Sequence, residues 1–345
     1  MTTRTLGRNG LTSAPIGLGC MGMSDFYGPA DETESIATIH AAVDAGVTLL
    51  DTGDFYGMGA NELLIRDALR ARPGDRDKVD ISVKFGSLRG PDGAWIGFDS
   101  RPVAVRTFVA YSLKRLGTDH IDVYRPARLD PDVPIEETVG AIGELVTAGY
   151  VRHIGLSEVG AETLRRAAAT HPIADLQIEY SLLSRGIEAE ILPVCRELGI
   201  GVTAYGVLAR GLIGGHWSRE RQTAADDFRA HSPRHTGANL DANLALTERL
   251  RAIAEERGVS VAQIAIAWVL AQGGDGGDGG DGGDGGDIVA LVGARRRDRL
   301  AEALGATEVS LSAEDLARIE RAVPPGAAAG DRYQSAQMAA LDSER

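Results

Sequence analysis

Residues 33–57 read TESIATIHAAVDAGVTLLDTGDFYG and contain one complete α/β unit. Apolar residues in the first half recur at intervals of three and four positions, which predicts a helix over Thr33–Ala45. The short apolar run that follows predicts a strand over Val47–Asp51. A helix that leads directly into a buried strand is the building unit of parallel α/β folds.

The same alternation continues along the rest of the chain. Seven further strands are predicted, at Ile16–Gly19, Val79–Lys84, His120–Tyr124, His153–Ser157, Asp175–Glu179, Gly201–Tyr205 and Ile288–Val292. Helical patterns are found at Asn61–Ala71, Val103–Leu116, Ile135–Ala148, Ala161–Ala169, Ile187–Leu198, Leu244–Arg257 and Val261–Gln272. Eight such units favour a single-domain (β/α)8 TIM barrel over a doubly wound sheet, which usually has fewer strands. In such a barrel, functional side chains lie at the C-terminal ends of the strands.

The composition indicates a folded protein. The chain has 345 residues, of which 43% are hydrophobic and 25% charged, close to the average for globular proteins. A formal net charge of −13 argues against nucleic acid or an anionic membrane as the main partner. The sequence has neither an apolar run of membrane-spanning length nor an apolar leader segment, so we expect a cytoplasmic protein. The two cysteines, Cys20 and Cys195, are too few for a disulfide framework.

Residues 273–287 consist of five GGD triplets and hold 10 of the 44 glycines. Some acidic glycine repeats bind Ca²⁺, but those repeats also carry a large apolar residue, which is missing here. We therefore expect a flexible acidic loop between the last helix before the eighth strand and that strand. A loop of this kind lies at the N-terminal face of a barrel, away from the chemistry. Residues 1–345 are accordingly interpreted as one barrel with one expanded loop.

Three side chains near the ends of consecutive predicted strands point to chemistry. Asp51 ends the second strand, Tyr56 follows five residues later, and Lys84 ends the third strand. A lysine close to a tyrosine lowers the pKa of the phenol, and an aspartate keeps the lysine charged. Such a tyrosine donates a proton to a carbonyl oxygen as hydride reaches the carbon. Considered one at a time, the three residues also have ordinary structural interpretations: Asp51 as a helix cap, Tyr56 as an aromatic residue at the barrel rim, and Lys84 as a surface charge. Their shared location at neighbouring strand ends favours a chemical role.

With these residues in place, the sequence resembles the aldo-keto reductase family along nearly its whole length. The motifs that carry the resemblance are DTGDFYG and GANELLIRDAL in residues 51–69, LDPDVPIEETVGAIGELVTAGYVRHIGLSE in residues 129–158, and LQIEYSLLSR in residues 176–185. The resemblance is slightly closer to the pyridoxal-reductase-like and general aldehyde-reducing branches. It implies a (β/α)8 barrel that binds NADPH and reduces aldehydes or ketones. It also assigns Asp51, Tyr56 and Lys84 to three positions of the family's catalytic tetrad.

The fourth position of that tetrad departs from the family pattern. Residues 124–131 read YRPARLDP, so Ala127 stands where the family has a histidine. An alanine side chain has no donor for the carbonyl oxygen, and the loss of one such donor costs about 2.7–4 kcal/mol in well-studied oxyanion sites. We expect slow turnover, or a water molecule or Arg125 in the vacant space. A barrel that binds NADPH without turnover, as a sensor or regulatory subunit, is the alternative.

The resemblance also implies the residues that hold the cofactor. Gln177 and Ser157 match the residues at the nicotinamide carboxamide, Glu158 replaces the amide side chain next to them, and Tyr205 matches the aromatic ring that stacks on the nicotinamide. A carboxylate at position 158 accepts a hydrogen bond from the carboxamide but donates none. Three residues match the loop across the pyrophosphate: Leu208, Arg210 and Gly211.

The segment Gly293–Arg299 is the only dense basic cluster in the sequence. Within the resemblance it corresponds to the site of the adenosine 2′-phosphate, with Gly293 at the end of the strand. Arg295 and Arg299 are the residues expected to bind this phosphate, because guanidinium groups bind phosphate bidentately. This favours NADPH over NADH. Glu302 occupies a position that contacts the adenine in the family.

An apolar substrate pocket is the last expectation at the barrel mouth. Its candidate lining residues are Phe26, Tyr27, Phe55, Trp95, Arg125 and Ala127. The histidines lack metal-ligand spacing, so no metal is expected. The substrate is expected to be a small carbonyl compound. A (β/α)8 lyase or isomerase acting on a phosphate ligand is the alternative enzyme class, and it would bind no nicotinamide.

Overall fold

The computed structural model describes residues 3–8, 11–221, 223–273 and 286–344. Within these residues, eight parallel strands close into a barrel in which neighbours along the chain are neighbours in space. The strands are β1 (Ile16–Gly19), β2 (Leu49–Gly53), β3 (Asp80–Phe85), β4 (Ile121–Pro126), β5 (Val151–Ser157), β6 (Asp175–Glu179), β7 (Gly201–Tyr205) and β8 (Ile288–Gly293). The predicted (β/α)8 barrel is therefore confirmed.

Helices surround the barrel. Their bounds are α1 (Glu32–Asp44), α2 (Ala60–Ala71), α3 (Pro102–Leu116), α4 (Ile135–Thr147), α5 (Ala161–Thr170), α6 (Ile191–Leu198), α7 (Gly237–Glu256), α8 (Val261–Ala271), α9 (Arg297–Leu304), α10 (Ala313–Ala322) and α11 (Ser335–Met338). In the part of the chain that the structure describes, no helix is long and apolar enough to cross a membrane.

Helix α7 differs most from its prediction, because it begins at Gly237 rather than at Leu244. The first six residues of α7 are exposed or half-buried, and burial begins only at Asn243. No apolar face is needed along this first stretch, so the hydrophobic periodicity that predicts helices is missing from it. The segment between β7 and α7 contains short 3₁₀ turns at Ala209–Gly214, Phe228–His231 and Pro233–His235.

A short hairpin closes the N-terminal end of the barrel. Its strands, Arg4–Leu6 and Leu11–Ser13, pair in antiparallel fashion. Leu6 and Leu11 are buried in one apolar cluster with residues of three barrel strands, namely Leu49, Val123 and Val289. Since this end of the barrel is filled by the hairpin, the C-terminal end is the one available for a site.

The two flanks of the GGD repeat meet at the same N-terminal end. Arg4 donates hydrogen bonds to the carbonyl oxygens of Leu270, in α8, and Ile288, in β8. A Cβ atom built on Gly273 would stand 3.3 Å from the Cα atom of Gly286. Residues 274–285, which hold most of the repeat, lie outside the described residues.

Deletion of residues 274–285 leaves a single GGD triplet and joins these two neighbouring flanks. We expect the free energy of unfolding to change by only about 1.5 kcal/mol, since the repeat shortens fivefold and each doubling of loop length costs about 0.6 kcal/mol. Urea denaturation of both chains measures the change. A much larger loss of stability would contradict the location of this loop at the N-terminal face.

Candidate active site

A buried ion pair lies at the C-terminal end of strands β2 and β3. The Nζ atom of Lys84 stands 2.5 Å from Oδ1 of Asp51, and both side chains are almost completely buried. The second carboxylate oxygen, Oδ2, accepts hydrogen bonds from Ser82 at 2.8 Å and from Gln177 at 2.7 Å. Three strands therefore contribute to one polar centre. Each oxygen of Asp51 has a donor, as a buried carboxylate requires.

Tyr56 stands directly next to this pair. The Nζ atom of Lys84 lies 5.0 Å from the centre of the Tyr56 ring. The structure thus brings together the three residues that the sequence analysis selected. It does not support the expected direction of the phenol pKa: burial raises the pKa of Tyr56 well above its usual value, and the charge of Asp51 raises it further. Tyr56 is consequently a protonated donor at neutral pH.

Burial also affects the lysine. It lowers the pKa of Lys84, while the attraction of Asp51 acts in the opposite direction. The hydrogen bond to Asp51 thus helps to keep the Lys84 ammonium charged beside the tyrosine ring.

Hydrogen bonds from the loop after β2 determine where Tyr56 lies. The backbone N–H of Asp54 donates to the Lys84 carbonyl at 2.9 Å, and the N–H of Gly57 donates to Oδ2 of Asp25 at 3.1 Å. Asn61 joins the start of α2 to the loop after β1, through Cys20 O and Ser24 Oγ, both at 2.8 Å. The loop carrying Tyr56 is therefore tied to strand β3 and to the loop after β1.

Apolar side chains form a wall around Tyr56. The ring of Phe55 lies 4.8 Å and that of Phe26 5.9 Å from the Tyr56 ring, measured between centres. Trp95, from the hairpin of Ser87–Arg89 and Trp95–Phe98, stands 5.6 Å from Phe55 and 5.9 Å from Phe26. Ala127 is buried and packs in the same cluster as Phe55 and Tyr56. Four of the predicted lining residues therefore lie together.

Arg125 is not part of this wall, which corrects its assignment to the substrate pocket. Its side chain is completely buried inside the barrel, and its Nη2 atom stands 3.1 Å from Oδ2 of Asp175. Asp175 is the first residue of β6, so the guanidinium is directed away from the C-terminal mouth. The cation close to Tyr56 that the sequence analysis missed is Arg128, whose charge lowers the pKa of Tyr56. Arg128 donates to the carbonyl oxygen of Ala127 at 2.6 Å.

The residues expected at the nicotinamide end lie on adjacent strands. Ser157 and Gln177 are paired across β5 and β6, and both are buried. Gln177 uses its Nε2 atom for Asp51, so Oε1 is the atom that could accept a bond from a carboxamide. Tyr205 ends β7 and remains half-buried. These positions are compatible with a nicotinamide ring and its carboxamide.

Glu158 does not take the role expected from the resemblance, which is to accept a hydrogen bond from the nicotinamide carboxamide. Its Oε1 atom accepts hydrogen bonds from Tyr205, Arg332 and the backbone N–H of Glu179, and its Oε2 atom accepts from Arg332 and Ser343. Both oxygens are already engaged within the protein. Glu158 is therefore not a free acceptor for a carboxamide.

The loop after β7 has an unusual backbone. Arg210 adopts a φ of 55°, and Gly211, with a φ of 100°, supplies the left-handed conformation that follows. The Arg210 side chain turns inward and forms an ion pair with Glu179 at 3.1 Å. Leu208 is half-buried and its carbonyl accepts the N–H of Gly211. The Arg210 guanidinium therefore binds a buried carboxylate and does not lie at the surface of the loop, where the resemblance places the pyrophosphate.

The basic segment after β8 begins beyond the exposed Gly293. Arg295 donates to the carbonyl oxygens of Tyr27, Gly28 and Pro29 at 3.0–3.3 Å, and within the described residues it makes no ion pair. Arg299 contacts His216 and Glu302, the latter at 3.0 Å. A cavity of about 90 Å³ adjoins His216 and Glu302.

Further arginines near this segment were missed by the sequence analysis. Burial lowers the pKa of Arg221, and the nearby charges of Arg229, Arg295 and Arg299 lower it further, so these four cations share one region. Arg221 and Arg229 pack on the Trp217 ring, at 4.5 and 5.0 Å from its centre. Their signal in the sequence was weak, because they are spread over the long segment between β7 and α7. Arg229 pairs with Asp227 at 2.6 Å and Arg299 with Glu302 at 3.0 Å, whereas Arg221 and Arg295 form no ion pair within the described residues and leave positive charge that is suited to an anion.

Tyr27, which was predicted to line the substrate pocket, contacts these arginines and acts on Tyr56 only through its effect on the Tyr56 pKa. Arg229 lies 4.7 Å from the centre of its ring, and its carbonyl oxygen accepts from Arg295. Tyr27 therefore lies between the wall around Tyr56 and the arginines. In the ranges that the structure describes, no group of three or more His, Cys, Asp or Glu residues is arranged to hold a metal ion.

A family model for the aldo/keto reductase family matches residues 15–324. The chain belongs to the aldo/keto reductase family. This aldo/keto reductase is 43% identical over 331 residues to "Probable aldo-keto reductase 1" of Glycine max, covering 95% of this chain and 90% of that relative.

Solved structures of aldo/keto reductases are similar as well. The glycerol dehydrogenase AKR11B4 from Gluconobacter oxydans has a TM-score of 0.81 and 29% identity, covering 94% of this chain and 96% of that one. The holo form of AKR11C1 from Bacillus halodurans has a TM-score of 0.74 and 26% identity, covering 96% and 98%. The aldo/keto reductase described here is accordingly an oxidoreductase of carbonyl compounds that uses a nicotinamide cofactor.

Replacement of Arg125 by Met leaves the buried Asp175 carboxylate without its cation. We expect the free energy of unfolding to fall by about 3–5 kcal/mol, and the double variant R125M/D175L to recover most of the loss. Urea denaturation measures both changes. Arg165→Met, which breaks an exposed pair with Glu197, is the control and should cost about 1 kcal/mol or less. A loss for R125M no larger than this control would contradict the structural role of Arg125.

Proposed function

We propose that this protein is an NADPH-dependent reductase that converts aldehydes or ketones to alcohols. The observation that carries the proposal is the buried Asp51–Lys84 pair beside Tyr56, at the apolar C-terminal mouth of the barrel. Bound NADPH supplies the hydride that is added to the carbonyl carbon. The protein's own residues then have to orient the carbonyl, exclude water and deliver one proton.

Tyr56 is the proton donor in this proposal. Its raised pKa keeps the hydroxyl protonated until negative charge develops on the carbonyl oxygen. The Lys84 ammonium, 5.0 Å from the Tyr56 ring centre, stabilises the phenolate that is left after proton transfer. Asp51 holds the ammonium in place and keeps it charged.

The apolar wall is the proposed substrate pocket. Phe26, Phe55 and Trp95 surround the Tyr56 ring and would exclude water from the reacting carbonyl. Ala127 contributes bulk but no hydrogen bond at the tetrad position. We therefore propose that Tyr56 is the sole side-chain donor to the carbonyl oxygen and that turnover is slow.

The choice of NADPH over NADH rests on the arginine cluster. Arg295 is held by backbone carbonyls instead of a carboxylate, so its charge remains to be balanced by an anion. Arg221, Arg229 and Arg299 lie in the same region, where Arg229 pairs with Asp227 and Arg299 with Glu302. These residues fit a 2′-phosphate and a pyrophosphate, and Tyr205 and Gln177 fit the nicotinamide end.

Tyr56→Phe removes the proposed proton donor without changing the wall. We expect kcat for a reactive aromatic aldehyde to fall by at least about 100-fold, the lower range for loss of a general acid. NADPH oxidation, followed over a panel of aldehydes and ketones and repeated with NADH, measures the change. Tyr111→Phe, at an exposed position on α3, is the matched control. Reduction by Y56F at the wild-type rate would exclude this mechanism.

Ala127→His restores the side chain that the family has at this position. We expect kcat to rise by at least about tenfold, because a donor to the carbonyl oxygen contributes more than this in comparable sites. Steady-state kinetics with the best substrate of the panel measures the effect. Ala127→Val controls for added bulk against Phe55 and Tyr56. If A127H is no faster than wild type, another group already serves the carbonyl oxygen.

A second candidate function follows from the same alanine. A barrel without the tetrad histidine that binds NADPH and reduces no carbonyl would act as a sensor or regulatory subunit. Calorimetric binding of NADPH by the wild-type protein, together with no turnover across the panel, would favour this function. Absence of NADPH binding would exclude both candidates.

A further inference from the structure

Two buried carboxylates lie side by side at the mouth of the barrel. Glu158 follows β5 and Glu179 ends β6, and their side chains are both 0% exposed. The backbone N–H of Glu179 donates to Oε1 of Glu158 at 3.0 Å, so the two residues are in direct contact. Buried negative charges require cations.

The cation for Glu158 comes from the C-terminal segment. Nη1 of Arg332 donates to Oε1 of Glu158 at 2.8 Å, and Nη2 donates to Oε2 at 2.6 Å, which is a bidentate pair. Arg332 is itself buried and also stands 3.5 Å from Glu179. Within the described residues, Arg332 is the only cation that forms an ion pair with Glu158.

Glu179 does not depend on Arg332 in the same way. Arg210 stands 3.1 Å and Arg234 3.6 Å from its carboxylate oxygens. Ser184 donates to the same carboxylate at 2.8 Å. Loss of Arg332 would therefore leave Glu158 without an ion-pair partner, with only the more distant charge of Arg128 nearby, and would leave Glu179 with two arginines.

The Arg332–Glu158 pair is connected to the ring expected to stack on the nicotinamide. The Tyr205 hydroxyl donates to Oε1 of Glu158 at 2.6 Å. The same hydroxyl lies 2.9 Å from the hydroxyl of Tyr333, the residue next to Arg332. Tyr205 is thus held at its tip by Glu158 and by the C-terminal segment together, which determines the orientation of its ring.

The C-terminal segment is anchored on both sides of Arg332. Arg210 donates to the Arg332 carbonyl at 3.0 Å. Farther along, Asp342 accepts the N–H of Gly160 at 2.8 Å, and Ser343 donates to Oε2 of Glu158 at 2.7 Å. These contacts attach the segment to the loop that follows β5, which is the loop containing Glu158.

A charged residue at position 158 creates the need for this arrangement. Hydrogen bonds and the charge of Arg332 overcome the effect of burial and lower the pKa of Glu158 to about 2, so it is ionised at neutral pH. A neutral amide, which the family pattern has here, would need no cation.

We propose that Arg332 is a positioning residue of the cofactor site, which acts by neutralising Glu158 and thereby orienting Tyr205 toward the nicotinamide. The inference rests on the proposed binding of NADPH. If Arg332 has this role, the C-terminal segment is part of the cofactor site, together with the basic cluster that follows β8.

The test compares two ligands on the full chain by isothermal titration calorimetry. NADPH reports on the whole cofactor site, whereas 2′,5′-ADP carries the adenosine and 2′-phosphate but no nicotinamide. For Arg332→Met we expect the Kd of NADPH to rise at least about tenfold, since one partner of a buried charge pair is lost. The Kd of 2′,5′-ADP should remain within about threefold of wild type, because Arg295 and Arg299, the residues expected to bind its 2′-phosphate, contact neither member of the changed pair.

The double variant E158Q/R332M tests whether Arg332 acts on NADPH binding through Glu158. It removes both charges of the pair, so we expect its Kd for NADPH to return to within about threefold of wild type. Arg318→Met, which breaks an exposed pair with Glu256, is the control and should change neither Kd. Thermal unfolding of each variant identifies those that fold.

If R332M does not fold, the comparison of E158Q/R332M with E158Q takes its place, and equal NADPH affinities support the proposal. Normal NADPH affinity in folded R332M would overturn it, and so would equal weakening of both ligands. A double variant that is folded but still weak for NADPH would overturn the role of Glu158. A wild-type chain that binds no NADPH would instead overturn the proposed function.

Discussion

Buried charge is the constraint on which the mouth of this barrel depends. Asp51 and Lys84 lie almost completely out of water, and each compensates the buried charge of the other across 2.5 Å. The pair also fixes its neighbours, because Ser82 and Gln177 donate to the second oxygen of Asp51. Strands β2, β3 and β6 thereby converge on one point, and the ring of Tyr56 lies against it. The chemistry proposed for the site follows from this requirement for pairing.

The same requirement operates at other buried pairs around the barrel axis. Arg125 and Asp175 pair inside the barrel, below the mouth, and contribute to the core rather than to the site. Glu158 and Arg332 pair at the rim and bring the C-terminal segment onto the loop after β5. All three pairs are buried, and they differ in their neighbours: Arg125–Asp175 lies in the core, Asp51–Lys84 lies beside Tyr56, and Glu158 accepts a hydrogen bond from Tyr205.

Prediction from sequence succeeded where the signal was local. The strands Ile16–Gly19, Asp175–Glu179 and Gly201–Tyr205 lie where their apolar patterns indicated, and the strand-end residues Asp51 and Lys84 meet because parallel strands end at one edge. Helix α7 was mispredicted at its start, since its first residues bury no apolar face. The pKa of Tyr56 was expected to fall but rises, because neither the degree of burial nor the proximity of Asp51 to the phenol is visible in the sequence.

By itself, the sequence determined the eightfold alternation of strands and helices and the residue types at the strand ends, because both depend on neighbours along the chain. It also contained the carboxylate at position 158, which was expected to accept a hydrogen bond from the carboxamide; once buried, that carboxylate needs a cation. Only the tertiary structure decided that the cation is Arg332, 174 positions away, and that Arg125 turns inward to Asp175. An ion pair over such a separation depends on the path of the folded chain, and no local spacing or periodicity records that path.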